Sequence, residues 1–140
     1  MKLFVDTNIF LRYLLADHKT QSPTAKKLFT EAKEGKLTLV THPLVISEIF
    51  FMLSSYYRFT KEEIIEKMRI VLLFEGLEIK EKNILFQAIS FYEEKNIDFV
   101  DAYVAAYCFK SNVNVCSFDK DFDKIKEIKR IDPFLLDKLS

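Results

Sequence analysis

Near its N-terminus the chain passes directly from an apolar segment into a helix, with the sequence Lys2-Leu3-Phe4-Val5-Asp6-Thr7-Asn8-Ile9-Phe10-Leu11. Four residues suit a buried strand, and the Thr and Asn that follow the acid can cap a helix that opens at Ile9. An acid at such a corner points out of the carboxyl end of a sheet, where open α/β folds bind their ligands. Asp6 is therefore the first candidate site residue.

Three further acids stand in positions that would bring them to the same edge. Glu48 lies within an otherwise apolar helical run, Asp101 lies near the start of a helix rich in Ala, and Asp119 follows a short apolar run. We expect all four acids to converge if the intervening segments alternate as strands and helices.

The remaining pattern predicts such an alternation. Strands are predicted at residues 37–40, 77–79 and 113–118, with a short edge strand at 128–131, and helices at 9–16, 22–35, 44–57, 60–72, 84–92 and 98–109, followed by one or two helical turns at 119–125. Ser22-Pro23 is expected to cap the second helix, and Thr60 with Glu63 to form a capping box. The pattern indicates one α/β domain over residues 1–140, with a mainly parallel sheet and helices on both faces.

The four motifs also occur in a recognisable order. Val-Asp-Thr-Asn, a lone Glu in a helix, Asp-Phe-Val-Asp-Ala and Ser-Phe-Asp-Lys-Asp-Phe together resemble the PIN-domain nucleases, in particular the VapC-like toxins of bacterial and archaeal toxin–antitoxin pairs. The resemblance runs from Leu3 to about Phe134 and implies a PIN-like three-layer fold with four or five strands. It implies an endoribonuclease that leaves a 5′-phosphate and a 3′-hydroxyl, with a cognate antitoxin and a homodimer as partners.

The resemblance assigns Asp6, Glu48, Asp101 and Asp119 as catalytic residues and metal ligands. Four carboxylates from separate segments suit Mg²⁺ or Mn²⁺, because hard cations prefer oxygen donors. Such an ion can activate water and neutralise charge on a phosphodiester. The candidates for fixing these ligands from an outer shell are Thr7, Asn8, Ser117, Asp98 and Asp121.

Each acid also has a purely structural interpretation. Asp6 can cap the following helix, although Thr7 and Asn8 compete for that role, and an acid at the end of a buried strand is costly to ionise without a cation. Glu48 has no basic residue four positions away, so its alternative is a side chain that reaches solvent from the helix rim.

The two later acids occur in pairs, which leaves a choice within each pair. Asp98 and Asp101 both stand at a helix start, where capping and the helix dipole stabilise acids. The family motif favours Asp101. The Ser-Phe-Asp spacing similarly favours Asp119, with Asp121 assigned to an outer shell or a cap.

Two other function classes compete with the nuclease. A haloacid-dehalogenase-like phosphatase also begins with an apolar strand and an Asp, but its general acid would stand two positions on, where this chain has Asn8. A catalytically silent binding module that acts through protein–protein contacts is the second alternative. It would be expected to lose at least one of the four acids, whereas all four positions are filled.

Composition removes several other possibilities. Gly35 and Gly76 are the only glycines and neither belongs to a Gly-rich run, so a P-loop and a dinucleotide fingerprint are absent. The formal net charge of zero excludes a general electrostatic preference for nucleic acid but not a local one. No apolar run approaches the ~20 residues of a membrane span, and no signal peptide is visible, so we expect a cytoplasmic location.

The remaining reactive side chains are expected to be structural. Cys108 and Cys116 lie in apolar surroundings and are predicted to be buried, reduced thiols. His18 and His42 have no acid or nucleophile at motif spacing and are predicted to be surface or capping residues.

One helix carries more apolar surface than a small domain can bury. Its residues Phe50, Phe51, Leu53, Tyr56 and Tyr57 exceed one helix face, which predicts that part of this surface contacts another protein.

Overall fold

A parallel three-stranded sheet organises the first part of the chain. The computed structural model of the protein describes residues 1–138 and divides the chain into two compact units, residues 1–81 and the part from Lys82 onward. In the first unit, β1 (Lys2–Phe4) pairs with β2 (Thr38–Thr41), and β2 pairs with β3 (Leu77–Ile79). The strand β2 is therefore central.

Four α-helices connect these strands. They are α1 (Thr7–Leu15), α2 (Gln21–Lys33), α3 (Pro43–Phe51) and α4 (Lys61–Leu72), and a π-helical segment (Met52–Tyr56) follows α3 directly. Their apolar faces are buried with the central strand, and Phe10, Leu39, Ile46, Leu53 and Met68 are fully buried. Thr60 and Glu63 form the predicted capping box at the start of α4, which confirms that prediction.

The second unit is built on two helices. Helix α5 (Lys82–Glu94) packs against α6 (Phe99–Ser111) through ring contacts such as Tyr92 with Phe99. Two short parallel strands follow, β4 (Val115–Cys116) and β5 (Arg130–Ile131), and they form their own sheet. Two 3₁₀ segments, Lys120–Lys124 and Pro133–Lys138, complete this part.

The predicted α/β fold with parallel strands is confirmed, but the sheet is smaller than expected. Among residues 1–138 the structure has three strands in one sheet and two in another, where four or five were expected in one. Strand β4 is also shorter than predicted, because Val113 and Asn114 are exposed and remain outside the ladder. The prediction of a single domain over residues 1–140 stays a prediction.

Two predicted helix starts were wrong by a few residues. Helix α1 begins at Thr7 and not at Ile9, and Asp6 is its N-cap, so Thr7 and Asn8 do not cap it. Helix α2 begins at Gln21, before the predicted Ser22-Pro23 cap. The Ser22 hydroxyl instead accepts a hydrogen bond from the His18 amide at 3.0 Å, and so it stabilises the preceding turn.

The apolar helix predicted at residues 44–57 is interrupted. Its α-helical part ends at Phe51, and the π-helical turn continues it to Tyr56. The turn keeps Leu53 buried, while Phe51 and Tyr56 are 63% and 70% exposed. Part of the apolar surface of this segment is therefore exposed.

The cysteines and histidines were predicted with mixed success. Both cysteines are free thiols, but only Cys108 is buried, whereas Cys116 is exposed. The capping role is confirmed for His42, the N-cap of α3, whose Nδ1 accepts from the Leu44 amide at 3.0 Å. His18 Nδ1 accepts from the Gln21 amide at 3.0 Å, but the N-cap of α2 is Thr20. In the described part of the chain, none of the helices combines the length and apolar character needed to cross a membrane.

Candidate active site

The carboxylate of Asp6 lies at the junction of β1 and α1. Its Oδ1 accepts a hydrogen bond from the Thr7 amide at 2.7 Å, and its backbone is extended, as an N-cap requires. Asp6 is exposed. The expected cost of ionising a buried acid does not apply to Asp6, because its own side chain is exposed although Val5 before it is buried.

Glu48 is held by a residue from this same junction. The Thr7 hydroxyl donates to Glu48 Oε2 at 2.9 Å, and the Thr7 side chain is buried. A buried hydroxyl that donates to an exposed carboxylate restricts the directions in which that carboxylate can point. The first unit thus brings Asp6, Thr7 and Glu48 together through two consecutive hydrogen bonds.

Asn8 follows in the first turn of α1 but takes no part in these contacts. Its side chain is exposed and lines a cavity of about 430 Å³ together with Arg12, Gln21 and Thr24. Its proposed role in orienting a ligand stays a prediction.

In the second unit, Asp98 caps the helix that carries Asp101. Asp98 Oδ1 accepts from the Asp101 amide at 2.8 Å, so the predicted capping is observed at Asp98. The Asp101 side chain is half-buried, and one of its carboxylate oxygens lies within 4.8 Å of oxygens of Asp119 and Asp121. Capping therefore explains the presence of an acid at Asp98, but it does not explain the half-buried carboxylate of Asp101.

Asp119 and Asp121 belong to a short loop between β4 and β5. Asp119 Oδ1 accepts from the Asp121 amide at 2.9 Å, which makes Asp119 the cap of the 3₁₀ segment. A cap was one of the two roles expected for Asp121, and the structure has that cap at Asp119. Ser117 was expected to bond a carboxylate, but its Oγ accepts from the Asp119 amide at 2.9 Å and so holds the backbone of this acid.

Asp101, Asp119 and Asp121 form a cluster of three carboxylates. One oxygen from each lies within 4.8 Å of the others. The pKa of Asp101 is raised to about 6, first by burial and then by the negative charges of Asp98, Asp119 and Asp121. The three carboxylates lie close together, and the negative charge of Asp101 is disfavoured. Such a set of oxygen donors fits a hard divalent cation.

Lys124 offers a partial counter-charge to this cluster. Its Nζ lies 2.9 Å from Asp121 Oδ1 and also donates to the carbonyl of Asn96 at 2.9 Å. Both groups of the ion pair are partly exposed, so the pair is weak in water. Asp121 therefore remains able to exchange the ammonium for another cation.

The two groups of acids lie in different compact units. Asp6 and Glu48 belong to the unit of residues 1–81, and Asp101, Asp119 and Asp121 belong to the unit that starts at Lys82. The predicted convergence of all four motif acids stays a prediction.

Sequence reasoning missed one residue of this region. Arg130 forms a two-pronged ion pair with Asp123 and also bonds the Ser117 carbonyl, so it contacts both ends of the loop that carries Asp119. The segment around Arg130 was interpreted only as an edge strand. No local signal in the sequence could have linked Arg130 to Asp123, because the link depends on the pairing of β4 with β5.

The comparisons with known proteins agree with this architecture. The chain belongs to the PIN domain family, whose family model matches residues 3–128. It is similar to the VapC ribonuclease of Aquifex aeolicus (strain VF5), with 26% identity over 135 residues that cover 96% of this chain and 98% of the relative. The predicted resemblance to VapC-like PIN proteins is confirmed, and the phosphatase alternative loses its basis.

Proposed function

We propose that the protein is a metal-dependent endoribonuclease that hydrolyses RNA phosphodiester bonds. The observation that carries the proposal is the cluster of three carboxylates in a chain of the PIN domain family. The similarity to a protein named VapC ribonuclease supports RNA as the substrate. In this proposal Asp6, Glu48, Asp101 and Asp119 serve one catalytic site, as the family resemblance implies.

The roles follow from the chemistry of the groups. Asp101 and Asp119 would hold Mg²⁺ or Mn²⁺, and Asp6 and Glu48 would complete the oxygen donors. A divalent ion in such a site activates water for attack on phosphorus and neutralises charge on the phosphodiester. Thr7 orients Glu48 through its hydroxyl, and Ser117 holds the backbone at Asp119.

Asp121 enters the proposal as an additional oxygen donor. Its carboxylate shares the cluster with Asp101 and Asp119, whereas it was first assigned to an outer shell. In this proposal Asp98 acts indirectly, because it caps α6, the helix that carries Asp101. Asn8 would act from the first turn of α1, next to Asp6 and Thr7.

The proposed biological setting is a toxin–antitoxin pair in the cytoplasm. The resemblance of the sequence motifs to VapC-like toxins supports this setting, with a cognate antitoxin protein as partner. A homodimer would cover apolar surface that the chain leaves exposed at Phe51 and Tyr56. Light scattering of the purified protein, with Phe51→Ser as the comparison, measures the oligomeric state directly, and a monomeric parent would contradict the dimer.

The catalytic proposal is tested by separating metal binding from stability. Asp6→Asn and Asp101→Asn keep the size of the side chain and remove one charge, so we expect weaker Mn²⁺ binding and at least 10-fold slower RNA cleavage. The melting temperature in EDTA should stay the same or rise, because crowded like charges are relieved. Glu127→Gln, an exposed acid outside the cluster, is the matched control.

Two results would contradict the nuclease. The first is a parent protein that cuts RNA equally well in EDTA, and the second is unchanged cleavage in both variants. Either result leaves the four-acid site without a catalytic role. The catalytically silent binding module would then replace the nuclease as the interpretation.

A further inference from the structure

Arg130 links the two ends of the loop that carries the acidic cluster. Its Nε donates to Asp123 Oδ1 at 2.9 Å and its Nη2 donates to Asp123 Oδ2 at 3.1 Å, so the guanidinium and the carboxylate pair edge to edge. Its Nη1 donates to the carbonyl oxygen of Ser117 at 2.9 Å. All three contacts come from one planar group, which fixes the relative positions of both acceptors.

The loop between these two contacts, residues 117–123, is otherwise held by short-range hydrogen bonds within it and by the buried side chain of Phe122. It contains Asp119, Asp121 and most of a 3₁₀ segment, a type of helix with weaker hydrogen-bond geometry than an α-helix. Two of the three clustered carboxylates lie on it and repel each other and Asp101. Without a clamp, this repulsion favours loop conformations in which the carboxylates move apart.

The environment of Arg130 suits a structural clamp and not an RNA contact. Its side chain is only 11% exposed, and its strand β5 pairs with β4 immediately before the loop, with Val115 opposite Arg130. A guanidinium enclosed in this way has few rotamers to lose and little surface to offer to a phosphate. Its three bonds are therefore directed at the protein itself.

We propose that Arg130 is a positioning residue for the metal site: it clamps loop 117–123 so that the carboxylates of Asp119 and Asp121 stay within reach of the ion that Asp101 binds. The inference rests on the proposed function for the presence of an ion, but it concerns the affinity for the ion and not the cleavage of RNA. Arg130 touches neither substrate nor ion and acts only through the loop.

Charge and position predict opposite effects for the loss of Arg130. The guanidinium is a cation close to Asp119, so its removal makes the surroundings of the cluster more negative and, by charge alone, should tighten the binding of a divalent cation. Loss of the clamp, in contrast, lets two ligands move away and should weaken binding. The sign of the change therefore distinguishes a positioning role from an electrostatic one.

The experiment measures Mn²⁺ affinity by calorimetry on metal-free protein, without RNA. We expect Arg130→Gln to bind Mn²⁺ about 10-fold more weakly than the parent, the effect typical of residues that orient metal ligands. Arg130→Lys keeps the charge but cannot form the two-pronged contact, and it should also bind more weakly. Lys126→Gln removes an exposed cation that follows the loop and is the matched control for charge, with affinity unchanged or slightly higher.

Circular dichroism identifies the variants whose fold is intact, and Arg130→Lys provides the test at constant charge if Arg130→Gln does not fold. Parent-like or tighter Mn²⁺ binding in a folded Arg130→Gln or Arg130→Lys variant would overturn the inference. A parent that binds no Mn²⁺ would overturn it as well.

RNA cleavage separates this inference from the proposed function. If Arg130 acts through ion affinity, high Mn²⁺ concentrations should restore cleavage in Arg130→Lys toward the parental rate. A parent that binds Mn²⁺ but leaves RNA intact contradicts the nuclease while the positioning role stands on the affinities. A parent that cuts RNA, beside Arg130 variants of unchanged affinity, contradicts the positioning role alone.

Discussion

At the scale of single residues, Asp101 combines burial with like charge. Its pKa rises to about 6, first because burial disfavours the charged form and then because Asp98, Asp119 and Asp121 are negative. A carboxyl in this state is partly protonated near neutral pH and gains the most from a nearby cation. The position of Asp101 in the motif indicated the residue, but the shift depends on neighbours from a distant loop.

The first prediction concerns the pH dependence of stability in the metal-free protein. The folded pKa of Asp101 lies above its ordinary value, so the folded state binds more protons between pH 4 and pH 6, and the free energy of unfolding falls as pH rises through this window. Asp101→Asn removes this dependence. At pH 7 we expect the variant to be about 1 kcal/mol more stable, less than the full shift implies, because solvent screens part of it.

Urea denaturation in EDTA at pH 4, 5, 6 and 7 measures this difference. Glu127→Gln should follow the parent at every pH. A difference between Asp101→Asn and the parent that does not grow from pH 4 to pH 6 would contradict the prediction.

The second prediction concerns the hydroxyl of Thr7. Thr7→Val keeps the shape of the buried side chain but loses the donor to Glu48 Oε2, so Glu48 becomes free to rotate and we expect about 10-fold slower RNA cleavage. Thr7→Ser keeps a hydroxyl and should retain most of the rate. Cleavage assays on both variants test this prediction. Equal rates for Thr7→Val and Thr7→Ser would show that the hydroxyl does not orient Glu48.

At the scale of elements, helix starts place the acids of the candidate site. Asp6 caps α1, Asp98 caps α6 and Asp119 caps the 3₁₀ segment, so three acids of the motifs bond the backbone of the element that follows. These caps use one carboxylate oxygen each and leave the second oxygen for other partners. The structural and the metal-binding interpretations of Asp6 and Asp119 are therefore compatible, although the sequence presented them as alternatives.

The third prediction separates the cap from the charge at Asp98. Asp98→Asn keeps an oxygen that accepts from the Asp101 amide, but it removes a negative charge, so the pKa of Asp101 should fall while stability is retained. Asp98→Ala loses the cap as well and should cost about 1 kcal/mol. Carboxyl NMR titration gives the pKa and urea denaturation gives the stability. An unchanged Asp101 pKa in Asp98→Asn would contradict the prediction that the charge of Asp98 raises this pKa.

At the scale of the whole molecule, the chain divides into two compact units at Lys82. The first has its own sheet and a core around Phe10, Leu39 and Ile46. The second has about 60 residues, a size at which a domain buries too little surface to be more than marginally stable alone. This supports the prediction of a single domain.

The fourth prediction is that residues 1–140 unfold in one cooperative transition. Far-ultraviolet circular dichroism reports on helices throughout the chain, whereas tyrosine fluorescence is weighted toward individual regions, and the two urea curves should coincide. Separate midpoints would mean that the units unfold independently and that the single-domain prediction is wrong. Ile97→Ala, a buried site in the second unit, should lower both midpoints together.

Local sequence determined those features that depend on neighbouring residues. The capping box at Thr60 and Glu63, the caps at His42 and Asp98 and the alternation of strands with helices all follow from interactions over a few positions. The order of the acidic motifs likewise sufficed to predict the PIN domain family. The tertiary structure decided how the strands group into two sheets, why Cys116 is exposed and how Arg130 reaches Asp123 and Ser117. These features depend on segments distant in sequence, and on solvent exposure that packing determines, so no local pattern of residues could predict them.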